Sequence, residues 1–167
     1  YTPTAVVDAL LATALPPLES AAQILSLRIC DPAMGCGIFL LRAMRTLSAA
    51  LLDVMPEQSD DRRLKPLLEA PSPALRLAWA KRLVAQYCLF GADIDAETVR
   101  SARLVLAYAC AVPDQAPLNL STNLMAGDAL VGLTPELALT DAWARFKQTH
   151  VQGAHMLSCM AQRILGD

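Results

Sequence analysis

RICDPAMGCGIFLL, residues 28–41, runs apolar, then acidic, then through two glycines, and then apolar again. The apolar run at 27–30 reads as a short buried strand that Asp31-Pro32 closes. From Ile38 onward, Leu41, Met44, Leu47 and Leu51 recur at helical spacing to about residue 54, with Arg42 and Arg45 on another face. The segment is therefore strand, glycine loop, helix.

The same alternation continues outward. YCLFGADID, residues 87–95, is a second buried strand ending in acids, and a helix over 96–111 follows with Asp95 as its cap. A third strand is expected near 123–126, ending in GDAL. Two helical stretches, 64–69 and 74–86, lengthen the first crossover after a polar loop at 56–63. Thr2-Pro3 has the order of a helix start, Ala5 to Ala14 continue it, and Pro16-Pro17 end it. Thr134-Pro135 begins another helical run, with Gly166 as its stop. Three strands separated by helices predict an α/β fold, a partial doubly wound parallel sheet with right-handed crossovers, an amino-terminal helix and extra helices. At 167 residues one domain is expected, divided into a helix at 1–22, a core at 23–132 and a helical tail at 133–167.

Composition narrows the function classes. Hydrophobic residues make up 54% and aromatics 5%, so the core must be aliphatic. No apolar run approaches the roughly 18 residues of a membrane span. The first 22 residues lack the basic start of a secretory signal and contain Asp8 and Glu19, so a cytoplasmic location is expected. Five cysteines form no CxxC pair and have no histidine at ligand spacing, which points to free thiols and to no metal. His150 and His155 lie five apart, off a common helical face. A net charge of -2 is unsuited to clamping a phosphate backbone.

In parallel sheets, ligands sit at the carboxyl ends of the strands. Asp31 with Gly35 and Gly37, Asp93 with Asp95, and Gly127 with Asp128 all fall there and are expected to converge. Glycines let the backbone approach a ligand, and the following helix aims free amides at it. Yet the loop lacks the lysine of GxxxxGK[ST] and has leucine where GxGxxG needs its last glycine. An acid before the loop repels phosphate and attracts an ammonium or sulfonium group. Asp93 is placed to accept from ribose hydroxyls and Asp128 from an adenine amine, an order that describes S-adenosylmethionine.

Four motifs in this order resemble the cofactor-binding half of the adenine-N6 DNA methyltransferases of restriction-modification systems. Tyr1-Thr2-Pro3 resembles the amino-terminal YTP, whose threonine meets the cofactor carboxylate. DPAMGCGIFL resembles DPAxGSGxFL, with Met34 at the variable place and Cys36 in the small-residue role of serine. GADID resembles the second motif and GDAL the third. The resemblance spans residues 1–132. It implies a Rossmann-like methyltransferase fold, S-adenosyl-L-methionine as cofactor, and cofactor contacts at Thr2, Asp31, Ala33, Gly35, Gly37, Asp93, Ile94, Asp128 and Ala129. Asp93 inherits the ribose, Ile94 the packing on adenine, Asp128 the adenine amine and Ala129 a backbone contact. Asp95 is read as a helix cap.

The family transfers its methyl group at [DNS]PP[YFW], beside a flipped base. Here both asparagines, Asn119 and Asn123, precede leucine, and the one Pro-Pro lies between Leu15 and Leu18, so no residue is assigned a catalytic role. The expectation is a segment of a longer methyltransferase, inactive alone. DNA would be engaged through other parts of that protein, with a partner subunit or a fused nuclease or target-recognition domain. The alternatives are a remnant or partner-completed binding module without turnover, or a methyltransferase acting on RNA, protein or a small molecule.

Overall fold

A computed structural model describes residues 3–129 of the chain. By contact density the chain divides into two units, Tyr1–Gly127 and Asp128–Asp167. In the first, the elements run α1 (Thr4–Ala14), α2 (Ala21–Ser26), β1 (Ile29–Asp31), α3 (Ile38–Asp53), α4 (Lys65–Leu68), α5 (Pro73–Tyr87), β2 (Leu89–Asp93), α6 (Ala96–Ala109) and β3 (Leu124–Ala126). The expected helical tail, His150, His155 and Cys159 lie outside the described residues.

The fold is α/β, with one parallel sheet in the order β1-β2-β3. Ile29 pairs with Leu89 and Asp31 with Gly91, while Gly91 also pairs with Leu124. Side chains alternate across a strand, so this register separates two faces. Leu89, Gly91 and Leu124 are buried, whereas Cys30 and Met125 on the other face are exposed.

The core lies under α3. Leu40, Ala43, Met44, Leu47 and Leu51 are buried at three- and four-residue spacing and pack chiefly on α5. Each fully buried leucine contributes about 2 kcal/mol relative to an exposed one. Leu83, Val84 and Ala85 of α5 and Leu106 of α6 complete this layer. Between elements, Arg103 of α6 donates from Nε to the Leu124 carbonyl at 3.0 Å, holding β3 to the helix. The Asn123 side-chain amide donates to the Gln86 and Leu89 carbonyls, each at 3.0 Å, and so fixes the entry to β3 against the entry to β2.

Several boundaries differ from expectation. The first strand begins at Ile29 and includes Asp31, because pairing with β2 sets its extent rather than the local apolar run. At the amino-terminal helix, Pro3 occupies the cap position with extended backbone, and no side chain caps it. Helix α2 was not anticipated. Its local signal is Ser20 and Gln23: the Ser20 hydroxyl accepts the Gln23 N–H at 3.2 Å, while Gln23 Oε1 accepts the Glu19 N–H at 3.0 Å. Asp95 caps α6 as read, accepting the Glu97 N–H at 3.1 Å.

Candidate functional site

The carboxyl ends of β1 and β2 meet around the loop that joins β1 to α3. Asp31, half-buried at the end of β1, accepts the Ala33 N–H on Oδ1 at 3.1 Å, which turns the chain out of the strand. Met34 then dips inward and is 3% exposed, its N–H donating to the Ala92 carbonyl of β2 at 3.0 Å. Gly35, at φ +54°, donates its N–H to Oδ2 of Asp93 at 2.9 Å. Gly37, at φ +81°, caps α3 and donates to the Met34 carbonyl at 2.8 Å. Both glycines hold left-handed backbone that an L side chain would strain.

Their surroundings differ. A Cβ built on Gly35 meets nothing within 4 Å, so that position is open. A Cβ on Gly37 would stand 3.4 Å from Cβ of Ala102, because α6 crosses there. At that distance the contact is an ordinary one, so it is the left-handed turn that requires glycine at position 37.

Asp93 holds two segments, the loop before α3 and the turn before α6. Besides the Gly35 N–H, its Oδ1 accepts the Asp95 N–H at 3.0 Å. A carboxylate has about four acceptor positions, so two remain. Asp31 lies close enough that the Asp93 charge acts on it. Burial pushes the Asp31 carboxyl up from its ordinary value near 3.8, the Ala33 N–H opposes that, and repulsion from Asp93 adds to the rise. Among the described residues, no lysine or arginine forms an ion pair with either acid. A pair of carboxylates left uncompensated in this way favours a ligand carrying positive charge.

The nine residues named from the sequence are distributed as follows. Asp31, Ala33, Gly35, Gly37 and Asp93 come together in one hydrogen-bonded loop. Ile94 follows β2 directly and is 75% exposed, an apolar side chain presented at the strand end. Gly127, whose N–H donates to the Asp93 carbonyl at 2.9 Å, ends the first unit. Asp128 and Ala129 open the second unit, and Thr2 lies outside the described residues.

Further residues belong to this region to which the motifs assigned no role. A Cβ on Gly91 would collide with the Met34 sulfur, 2.5 Å away, and with Leu40 at 3.0 Å. A glycine inside a strand signals such close approach and could have been read from GAD at 91–93. Arg42 of α3 donates from Nε to Oδ1 of Asp8 at 2.8 Å and from its second nitrogen to Oδ2, a two-point bond that ties α1 to α3. Nothing local in the sequence marks that pair.

A cavity of about 350 Å³ is lined by Glu57, Asp60, Asp61, Arg62, Lys65 and Glu69. It follows the carboxyl end of α3. A 16-residue helix is about 24 Å long, so this cavity stands at the opposite end of α3 from the glycine loop. Among the described residues, no group of three or more His, Cys, Asp or Glu could hold a metal ion, and no helix is long and apolar enough to cross a membrane. Compared with protein-family models, curated proteins and solved structures, the chain matches none.

Proposed function

We propose that residues 1–132 form the S-adenosyl-L-methionine-binding part of an adenine-N6 DNA methyltransferase of a restriction-modification system. The observation that carries this reading is the bond from the Gly35 N–H to Asp93, which joins the DPAMGCG loop to the strand end bearing GADID. Two motifs 58 residues apart thus share one hydrogen bond. The residues fit the cofactor on three counts. Gly35 leaves open space where a side chain would stand, Asp93 retains acceptor positions suited to ribose hydroxyls, and among the described residues the Asp31–Asp93 pair has no cation of its own.

When bound, the cofactor supplies the methyl group on a positive sulfonium. The chain's own residues bind and orient it. Asp93 accepts hydroxyl donors while holding the loop, Asp31 contributes negative potential, and Ile94 offers an apolar surface for a base. In this reading Thr2, Asp128 and Ala129 take the roles that the resemblance implies for them. The sheet is the β1-β2-β3 half of a doubly wound arrangement. Transfer in this family belongs to a [DNS]PP[YFW] motif, which residues 1–167 do not contain.

A second reading, a partner-completed binding module without turnover, draws on the exposed sheet face where Cys30 and Met125 stand in solvent. Amide chemical shifts of the chain titrated with S-adenosylmethionine and, separately, with ATP test the site common to both. Shifts at Gly35, Gly37 and Ile94 with the sulfonium ligand and weaker ones with the polyphosphate are expected. No change at these amides with saturating S-adenosylmethionine overturns the cofactor reading. Methyl transfer to DNA by the full-length protein separates the two.

A further inference from the structure

We infer that Gly91 and Met34 form a lock that sets the position of the glycine loop on the sheet. The space over Gly91 is filled from three parts of the loop motif. An ideal Cβ there would lie 2.5 Å from the Met34 sulfur, 3.0 Å from Cδ1 of Leu40 in the first turn of α3, and 3.3 Å from the Asp31 carbonyl at the end of β1. Met34 is only 3% exposed although its neighbours Ala33 and Cys36 in the same loop are exposed. A flexible apolar side chain in an otherwise solvated loop is held inward only if the sheet leaves room for it, and the missing side chain of Gly91 is that room.

The backbone of Met34 turns this seat into a positioning element. Its N–H bonds the Ala92 carbonyl at 3.0 Å, and its carbonyl accepts the Gly37 N–H at 2.8 Å. One residue on, Gly35 bonds Asp93 at 2.9 Å. Three successive residues of β2 therefore hold the loop: Gly91 by shape, Ala92 by its carbonyl and Asp93 by its carboxylate. Displacing the Met34 side chain by one methyl group at Gly91 lifts the residue that carries both bonds, and it moves the Gly35 N–H away from Asp93. Gly91 and Met34 are positioning residues, since neither side chain need touch a ligand.

The test uses residues 1–167 and reads the Gly35 amide proton, which a bond to a carboxylate shifts downfield. Gly91→Ala is expected to move that resonance upfield, and Gly91→Ala with Met34→Ala to bring it back toward the wild-type position, because the shortened side chain removes the nearest of the three contacts. An unmoved Gly35 resonance in Gly91→Ala, or a double variant no closer to wild type than the single, overturns the lock. Should Gly91→Ala alone fail to fold, recovery of a folded chain by Met34→Ala supports it and continued failure overturns it. A second measurement rests on the cofactor reading. S-adenosylmethionine affinity falls about tenfold in Gly91→Ala, the equivalent of one lost hydrogen bond, and recovers in the double variant. If the wild-type chain takes up no S-adenosylmethionine, the cofactor reading falls while the amide comparison still decides the lock.

Discussion

The Gly35 N–H donates to Oδ2 of Asp93 across 58 residues of chain, and Oδ1 of the same carboxylate holds the Asp95 N–H that leads into α6. One side chain thus fixes the loop before α3 and the turn before α6, so it acts on structure whether or not a ligand is bound.

Replacing Asp93 should therefore register twice. Asp93→Ala removes both amide acceptors and is expected to lower stability by about 1.5–3 kcal/mol, the range for a hydrogen bond to a charged group, measured by urea unfolding. In a full-length protein it should weaken S-adenosylmethionine binding by roughly 2–3 kcal/mol. A calorimetric dissociation constant equal to wild type would remove Asp93 from the binding site and leave only its structural role.

The two loop glycines should respond unequally to alanine. Gly35→Ala is expected to cost about 1–2 kcal/mol, the strain of left-handed backbone alone, because its Cβ would meet open space. Gly37→Ala carries the same backbone strain, but its Cβ would make ordinary apolar contacts with Ala102 at 3.4 Å and Leu106 at 3.7 Å, which offset part of it, so it should lose less. A larger loss in Gly37→Ala than in Gly35→Ala, read as urea unfolding midpoints, would contradict this.

Asp31 gives a pH dependence of definite sign. Its folded-state pKa is raised, by burial first, so between the ordinary value near 3.8 and the raised one the folded chain binds more protons than the unfolded. This component of stability is present below that window and is lost as pH rises through it. Asp31→Asn keeps an oxygen for the Ala33 N–H and removes the charge. The variant should be the more stable protein at neutral pH and lose this part of the acid-side pH dependence. Urea unfolding near pH 3.8 and at neutrality checks it, and a variant less stable than wild type at neutrality would show that the acid is compensated.

The thiols should divide by burial. Cys88 is buried, its Sγ donates to the Ile24 carbonyl at 3.3 Å, and desolvation pushes its pKa up to about 12. Cys110 is also buried, and burial raises its pKa. Thiolate is the reactive form, so neither should alkylate in the native protein. Exposed Cys36 should label readily. Peptide mapping after iodoacetamide treatment, with and without urea, reads the pattern, and native labelling of Cys88 would place it outside the core.

Local pattern carried much of the first unit. The apolar spacing from Ile38 to Leu51 gives α3 its buried stripe, the alternation of strands and helices gives a parallel three-strand sheet, and Asp95 before Ala96 gives the α6 cap. These features are legible because periodicity and capping act within a few residues of sequence. Helix α2 had a signal of the same kind in Ser20 and Gln23, but at six residues it is too short for periodicity to announce it.

Tertiary structure alone decided what happens between segments. Which strand residues pair, and so that β1 ends on Asp31, depends on β2, dozens of residues away. The seat of Met34 over Gly91, the bond from Gly35 to Asp93 and the Asp8–Arg42 tie each join residues with no shared local pattern. By itself the sequence determined which residues are acid, glycine or apolar at each strand end. Chain folding decided that the carboxylate at the second strand end grips the loop of the first, since a hydrogen bond needs its two atoms within about 3 Å and only packing brings them there.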